Sequence, residues 1–127
     1  MTVPELSVVL AAADGYGSVR QTLAHLRAQT ALERIELVLV LPPGSAAATD
    51  AADLRDFRWL KRVEWPPESV GGANAAGVRA ASAAVVALAE DHCFPEPGWA
   101  EALLRAHRED WAAVGPGMRN ANPATAV

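Results

Sequence analysis

Apolar residues in this chain fall into two patterns: short, nearly unbroken runs, and segments with the three-to-four-residue spacing of a helix. Leu6-Ser7-Val8-Val9-Leu10-Ala11 is a run of the first kind, and Asp14-Gly15 closes it. So short a run with so little polar alternation predicts a strand covered on both faces, as in a parallel sheet, ending near Ala12. Ser18, with Gln21 three residues later, predicts a capping box, and Val19, Leu23 and Leu26 then repeat at helical spacing to about Gln29. Ile35 to Leu41 is a second apolar run, interrupted only by Glu36 and stopped by Pro42-Pro43-Gly44, which predicts a second strand.

The Ala-rich stretch Ser45 to Leu54, with Thr49 and Asp50 near its start, predicts a short helix, and Arg62-Val63-Glu64-Trp65 a brief strand before Pro66-Pro67. Gly71-Gly72 reads as a turn introducing an Ala-rich helix from Ala73 to Ser82, and Val85 to Ala89 is the last strongly apolar strand. Pro95 and Pro97 punctuate a loop, after which Trp99, Leu103 and His107 give one face of a final helix to about Arg108. Strands alternating with helices predict an α/β fold of βαβ units, with right-handed crossovers and a mainly parallel, Rossmann-like sheet flanked by helices on both faces. Ligands of such sheets bind beyond the carboxyl ends of the strands, so the candidate site gathers Ala12 to Asp14, Pro42 to Ser45 and Glu90-Asp91-His92.

Composition bounds the function. A length of 127 residues, 51% hydrophobic and 20% charged, belongs to one globular domain or part of one. The formal net charge of -4 and the lack of any basic run argue against a nucleic-acid surface. No apolar run reaches the roughly 18 residues of a membrane span, and the start of the chain lacks a basic, apolar leader, so a cytoplasmic location is expected. One cysteine, Cys93, can neither close an internal disulfide nor build a cysteine-based zinc site, which suits a reducing compartment. An acidic protein that binds a phosphate needs local help from backbone N–H groups, a helix N-terminus or a metal ion.

Several stretches together resemble the nucleotide-sugar-binding half of family 2 glycosyltransferases. Leu6 to Leu10 looks like that family's opening strand, Leu39-Val40-Leu41-Pro42-Pro43-Gly44-Ser45 like its "VVDDGS" segment, and Gly71 to Gly77 like its "ARNxG" turn. Glu90-Asp91-His92-Cys93-Phe94-Pro95-Glu96-Pro97-Gly98-Trp99 is similar to the aspartate-rich metal motif followed by "PxPGW". The resemblance implies a GT-A fold and an inverting transfer from a nucleoside diphosphate sugar to an acceptor, with donor contacts at Ala12, Asp14, Ser45, Gly72, Asn74 and Glu90. It also implies a divalent cation held by Asp91 and His92, with Mn²⁺ favoured over Mg²⁺ because an imidazole ligand shifts the preference toward transition metals. The chain departs from the family where Pro42 and Pro43 replace the base-binding aspartates and Asn74 the arginine of the Gly-rich turn. Family members run well beyond this length, so the resemblance implies a fragment whose acceptor base lies past Val127, with membrane association only through missing regions.

Each feature has a plainer reading. Glu90 and Asp91 have a reading as solvated loop charges and His92 as a turn residue, Gly71-Gly72 as a simple turn, and Asp14-Gly15 as turn chemistry without a ligand. Trp59, Trp65, Trp99 and Trp111 read as core, and His25 and His107 as packed or solvent-facing helix residues. Two functional expectations result: a cation-dependent donor domain of a glycosyltransferase, or a non-catalytic binding or scaffold domain on the same fold.

Overall fold

A computed structural model describes residues 2–66, 68–120 and 124. Its strands are β1 (Leu6–Ala11), β2 (Ile35–Leu41), β3 (Trp59–Glu64) and β4 (Val85–Ala89). Its helices are α1 (Arg20–Arg27), α2 (Ala51–Leu54), α3 (Val70–Ala80) and α4 (Trp99–Ala106). The four strands form one sheet in the order β3-β2-β1-β4, every pairing parallel. Leu10 lies opposite Leu39 on one side and Ala89 on the other, so the chain leaves β1, β2 and β4 at neighbouring points of one rim. The α/β class and parallel sheet expected from the alternating pattern are what the structure has.

The near-continuous apolar runs are explained by burial on both faces. Val8, Leu10, Leu37 and Leu39 point to one side, where Leu23 and Leu26 of α1 and Ala100 and Leu104 of α4 cover them. Val9, Val38 and Val40 point to the other, against Ala73 of α3. The approach of α3 is close enough to exclude any side chain at Gly77: a Cβ there would overlap Val9 Cγ1 and stand 3.1 Å from Val40 Cγ2.

Local boundaries depart from the sequence reading in instructive ways. The capping box does not form, because the chain enters α1 through a 3₁₀ turn, Tyr16–Val19. Ser18 sits inside that turn and its hydroxyl donates to Gly15 O at 2.8 Å, while Val19 takes the cap position without a side-chain bond. Gly71 and Gly72 are not a turn before α3 but lie in its first turn, with Ser69 as N-cap. The Ser45 to Leu54 helix is split into a 3₁₀ turn, Ala46–Ala48, and α2, whose cap Asp50 accepts the Ala52 N–H at 2.9 Å. β3 starts three residues earlier than its apolar pattern suggests, since Trp59 and Leu60 pair with Glu36 and Leu37 at the sheet edge. Trp65 and Trp99 pack against the two cores, but Trp111 is 60% exposed and not core.

The lone polar interruption of β2 is a fastening. Glu36 is buried, accepts from Ser7 Oγ at 2.6 Å and Ser82 N at 2.8 Å, and pairs with Lys61 Nζ at 3.4 Å. Ser7 Oγ in turn accepts the Ala83 N–H at 3.0 Å, so the pair ties the α3–β4 connection to the sheet. Burial pushes the Glu36 carboxyl up, but the Ser7 and Ser82 hydrogen bonds and the Lys61 charge outweigh it and hold the pKa below its ordinary value.

Two outcomes follow for stability. Gly77→Ala is expected to cost about 1–3 kcal/mol by overpacking, in excess of the roughly 1 kcal/mol that alanine gains in helix propensity, as read by urea unfolding. Because the folded-state pKa of Glu36 is depressed, its contribution is present above the unfolded-state value of about 4.3 and is lost as pH falls through the lower folded value. Glu36→Gln should therefore cost about 1–3 kcal/mol at neutral pH. It should also flatten the acid limb of a stability-against-pH curve; an unchanged acid limb would show that Glu36 does not carry it.

Candidate functional site

Progression from β1 to β2 to β3 runs outward on one side of β1, and β4 then returns to the other side. The carboxyl ends of β1 and β4 thus flank a topological switch point, the place where open parallel sheets leave a crevice for ligands. Glu90-Asp91-His92-Cys93 leaves β4 at this point. The inner edge of α1 holds that segment. Thr22 is fully buried, and its hydroxyl stands 3.2 Å from the carbonyls of Glu90 and Asp91 and 3.5 Å from that of Cys93. A hydroxyl has one proton, so the three carbonyls share it.

One turn further along α1, His25 stacks on Phe94 with ring centroids 5.3 Å apart. Buried Gln29 donates to Glu96 O at 2.7 Å and accepts the Ala100 N–H at 2.9 Å, capping the first turn of α4 from another element. Thr30 N donates to Pro97 O at 2.9 Å. The whole segment from Glu90 to Ala100 is therefore hung on α1 and the residues just after it, some seventy positions earlier.

Within the loop, the side chains converge on His92. Its Nδ1 lies 2.9 Å from Asp91 Oδ1 and its Nε2 2.9 Å from Glu90 Oε2. The hydrogen bond to Asp91, then the charge of Glu90, raise the His92 pKa above its ordinary value. Cys93 Sγ stands 3.9 Å from Glu90 Oε2, and the donor atoms of Glu90, His92 and Cys93 all lie within 4.8 Å of one another. Burial, with the neighbouring Glu90 charge, pushes the Cys93 thiol up. Oxygen, nitrogen and sulfur donors so arranged fit a divalent cation, and the exposure of Glu90 and His92 leaves the site open to solvent.

The expected donor residues occupy the rest of the rim unevenly. Ala12 is buried at the end of β1, its N–H bonded to Val40 O at 2.8 Å, and lines a shallow crevice with Ala13, Pro42, Trp65, Ser69 and Ala73. Asp14 is exposed in the turn beside Gly15, whose φ of 96° needs glycine. Ser45 lies in the turn after β2, its N–H bonded to Pro42 O at 3.1 Å. The Gly72 N–H is already taken by Ser69 Oγ at 2.9 Å, and a Cβ at Gly72 would stand 2.9 Å from Trp65 Nε1, so this glycine makes room for an indole. Asn74 keeps a buried side-chain oxygen with no hydrogen-bond partner. The structure thus gathers Glu90, Asp91 and His92 into one cluster and places Ala12 in a separate, largely apolar crevice.

Sequence reading missed Cys93 as a member of the cluster and Thr22 as its anchor. It also missed a clasp on the loop after β1, in which Asp53 accepts from Tyr16 Oη and pairs with Arg20 Nε at 2.8 Å. Burial and the Asp53 hydrogen bond push the Tyr16 phenol up to about 12. A threonine within the apolar repeat of the first helix and a tyrosine beside Gly15 were the available signals. Comparison with protein-family models and with curated proteins found no match.

Thr22→Val retains shape and removes the proton shared by the three carbonyls. It is expected to lower stability by about 1–2 kcal/mol. Amide exchange should speed up locally between Glu90 and Ala100, measured by hydrogen–deuterium exchange, while the β1–β2 ladder keeps its protection.

Proposed function

We propose that this domain binds a nucleoside diphosphate sugar at the carboxyl rim of its sheet through a divalent cation, as the donor-binding part of a glycosyltransferase. The observation that carries this reading is the convergence of Glu90, Asp91, His92 and Cys93 at the switch point beside β1. A divalent cation bound there supplies charge stabilisation to a departing diphosphate. Glu90 and His92 offer ligand atoms toward it, Asp91 orients the imidazole, and Thr22 holds the backbone beneath them. In line with the family resemblance, Mn²⁺ is the expected cation over Mg²⁺, and the acceptor base comes from outside the cluster. No helix among the described residues is long and apolar enough to cross a membrane, and a cytoplasmic setting goes with this reading.

A second reading has its own support. The crevice between the ends of β1 and β2 is lined by Ala12, Ala13, Leu41, Pro42 and Trp65, and its Ser69 hydroxyl is engaged in capping α3. With so few hydrogen-bonding groups for a base, the same fold would serve as a non-catalytic binding or scaffold domain.

Calorimetric titration with a panel of nucleoside diphosphate sugars separates the two. The donor reading expects binding that needs Mn²⁺ or Mg²⁺ and weakens about 10–100-fold in Asp91→Ala. It also expects about 2.7 kcal/mol of stabilisation at ligand concentrations 100-fold above Kd. Equal binding without cation would remove the metal from the reading, and no binding of any donor by folded protein would favour the scaffold.

A further inference from the structure

The thiol beside the acidic cluster changes which metal the loop selects. We propose that Glu90, His92 and Cys93 form a mixed oxygen, nitrogen and sulfur site for a zinc-class cation, with Asp91 as the partner that orients His92 rather than a ligand. The proposal rests on the reading of a cation site in this loop and departs from the Mn²⁺ preference attached to it. It is not the multi-cysteine zinc site that a single cysteine excludes, since one thiolate suffices in a mixed set.

The geometry carries the assignment. A tetrahedral ion with bonds of about 2.0–2.3 Å keeps its ligand atoms about 3.3–3.6 Å apart. Here Nε2 and Glu90 Oε2 are 2.9 Å apart, Sγ and the same oxygen 3.9 Å, and all three donor atoms fall within 4.8 Å. Small side-chain rotations of exposed groups close the difference. Asp91 engages Nδ1 and leaves Nε2 facing Glu90, which is the outer carboxylate arrangement that fixes the tautomer of a metal-bound histidine. Backbone position is set independently by Thr22, so three residues of one tight turn present their side chains together.

Ligand chemistry then decides the metal. A thiolate is a poor partner for Mg²⁺ and Mn²⁺ and a good one for Zn²⁺, and the general order of affinities places Zn²⁺ well above Mn²⁺ for the same site. Three protein ligands leave a fourth position toward solvent, free for water or an anionic ligand oxygen. On binding, the Cys93 S–H and the His92 N–H facing Glu90 give their protons to solvent, and three coordinate bonds form with no change of oxidation state.

Titration of the full chain with Co²⁺ as a spectroscopic probe, followed by Zn²⁺ competition, tests this. The expected result is one equivalent of Co²⁺ with a thiolate-to-metal charge-transfer band, displaced by Zn²⁺ but not by equimolar Mn²⁺. Cys93→Ser should abolish the band and weaken Zn²⁺ binding, with the fold checked by circular dichroism. Asp91→Asn should keep the band and weaken Zn²⁺ affinity about 10–100-fold. Cobalt bound without the band, or Zn²⁺ affinity unchanged in Cys93→Ser, overturns the proposal. Donor binding that still requires Mn²⁺ in that case leaves the donor reading standing, whereas the band without binding of any nucleotide sugar keeps the metal site and removes the donor.

Discussion

β1 is hydrogen-bonded on both edges and covered by helices on both faces, and the rest of the molecule is arranged around that constraint. A strand enclosed in this way has no water to satisfy an unpaired polar group, so its side chains are almost entirely apolar. The single exception, Ser7, is admissible because Glu36 and the Ala83 N–H complete its hydrogen bonds. Polar chemistry is thereby driven to the ends of the strands. At the amino end it fastens the α3–β4 connection through Glu36, and at the carboxyl end it gathers the cluster from Glu90 to Cys93.

α1 links the core to that cluster. Its apolar face supplies Leu23 and Leu26 to the sheet, while Thr22, His25 and, just past its end, Gln29 receive the returning chain. The same helix therefore contributes to stability and to site geometry, and the two cannot be varied independently at Thr22. Placing the anchor on a regular helix, not on the loop itself, holds the backbone of an exposed turn from a fully buried side chain.

Much of this was legible in the chain. The unbroken runs at Leu6 to Ala11 and Ile35 to Leu41 announced strands buried on both faces, and alternation with helical segments announced the parallel sheet. Less legible was whatever depends on contact across the sheet. β3 gains its first residues by pairing with β2, and Gly71-Gly72 joins α3 because Ser69 caps it and Trp65 needs the space above Gly72. Ser18 looked like a cap because local spacing was right, yet the 3₁₀ entrance moved the cap one residue on. The cluster itself was visible as Glu90-Asp91-His92, but the contributions of Cys93 and Thr22 arise from chain folding, and no spacing rule links residue 22 to residue 90.

Electrostatics gives the proposed cation its reason. The chain carries a formal net charge of -4, and the loop adds two carboxylates to the rim where a diphosphate would lie. His92 is the only side chain within Glu90 to Cys93 that can carry positive charge, and its two ring nitrogens already face Glu90 and Asp91. The Gly72 amide is spent on capping α3. An anionic ligand approaching this loop therefore meets repulsion unless a positive centre there can bind it directly. A dication on Glu90, His92 and Cys93 provides one with the residues in place: it replaces the protons of His92 and Cys93, turns Glu90 from a repelling group into a ligand, and presents its open position toward solvent.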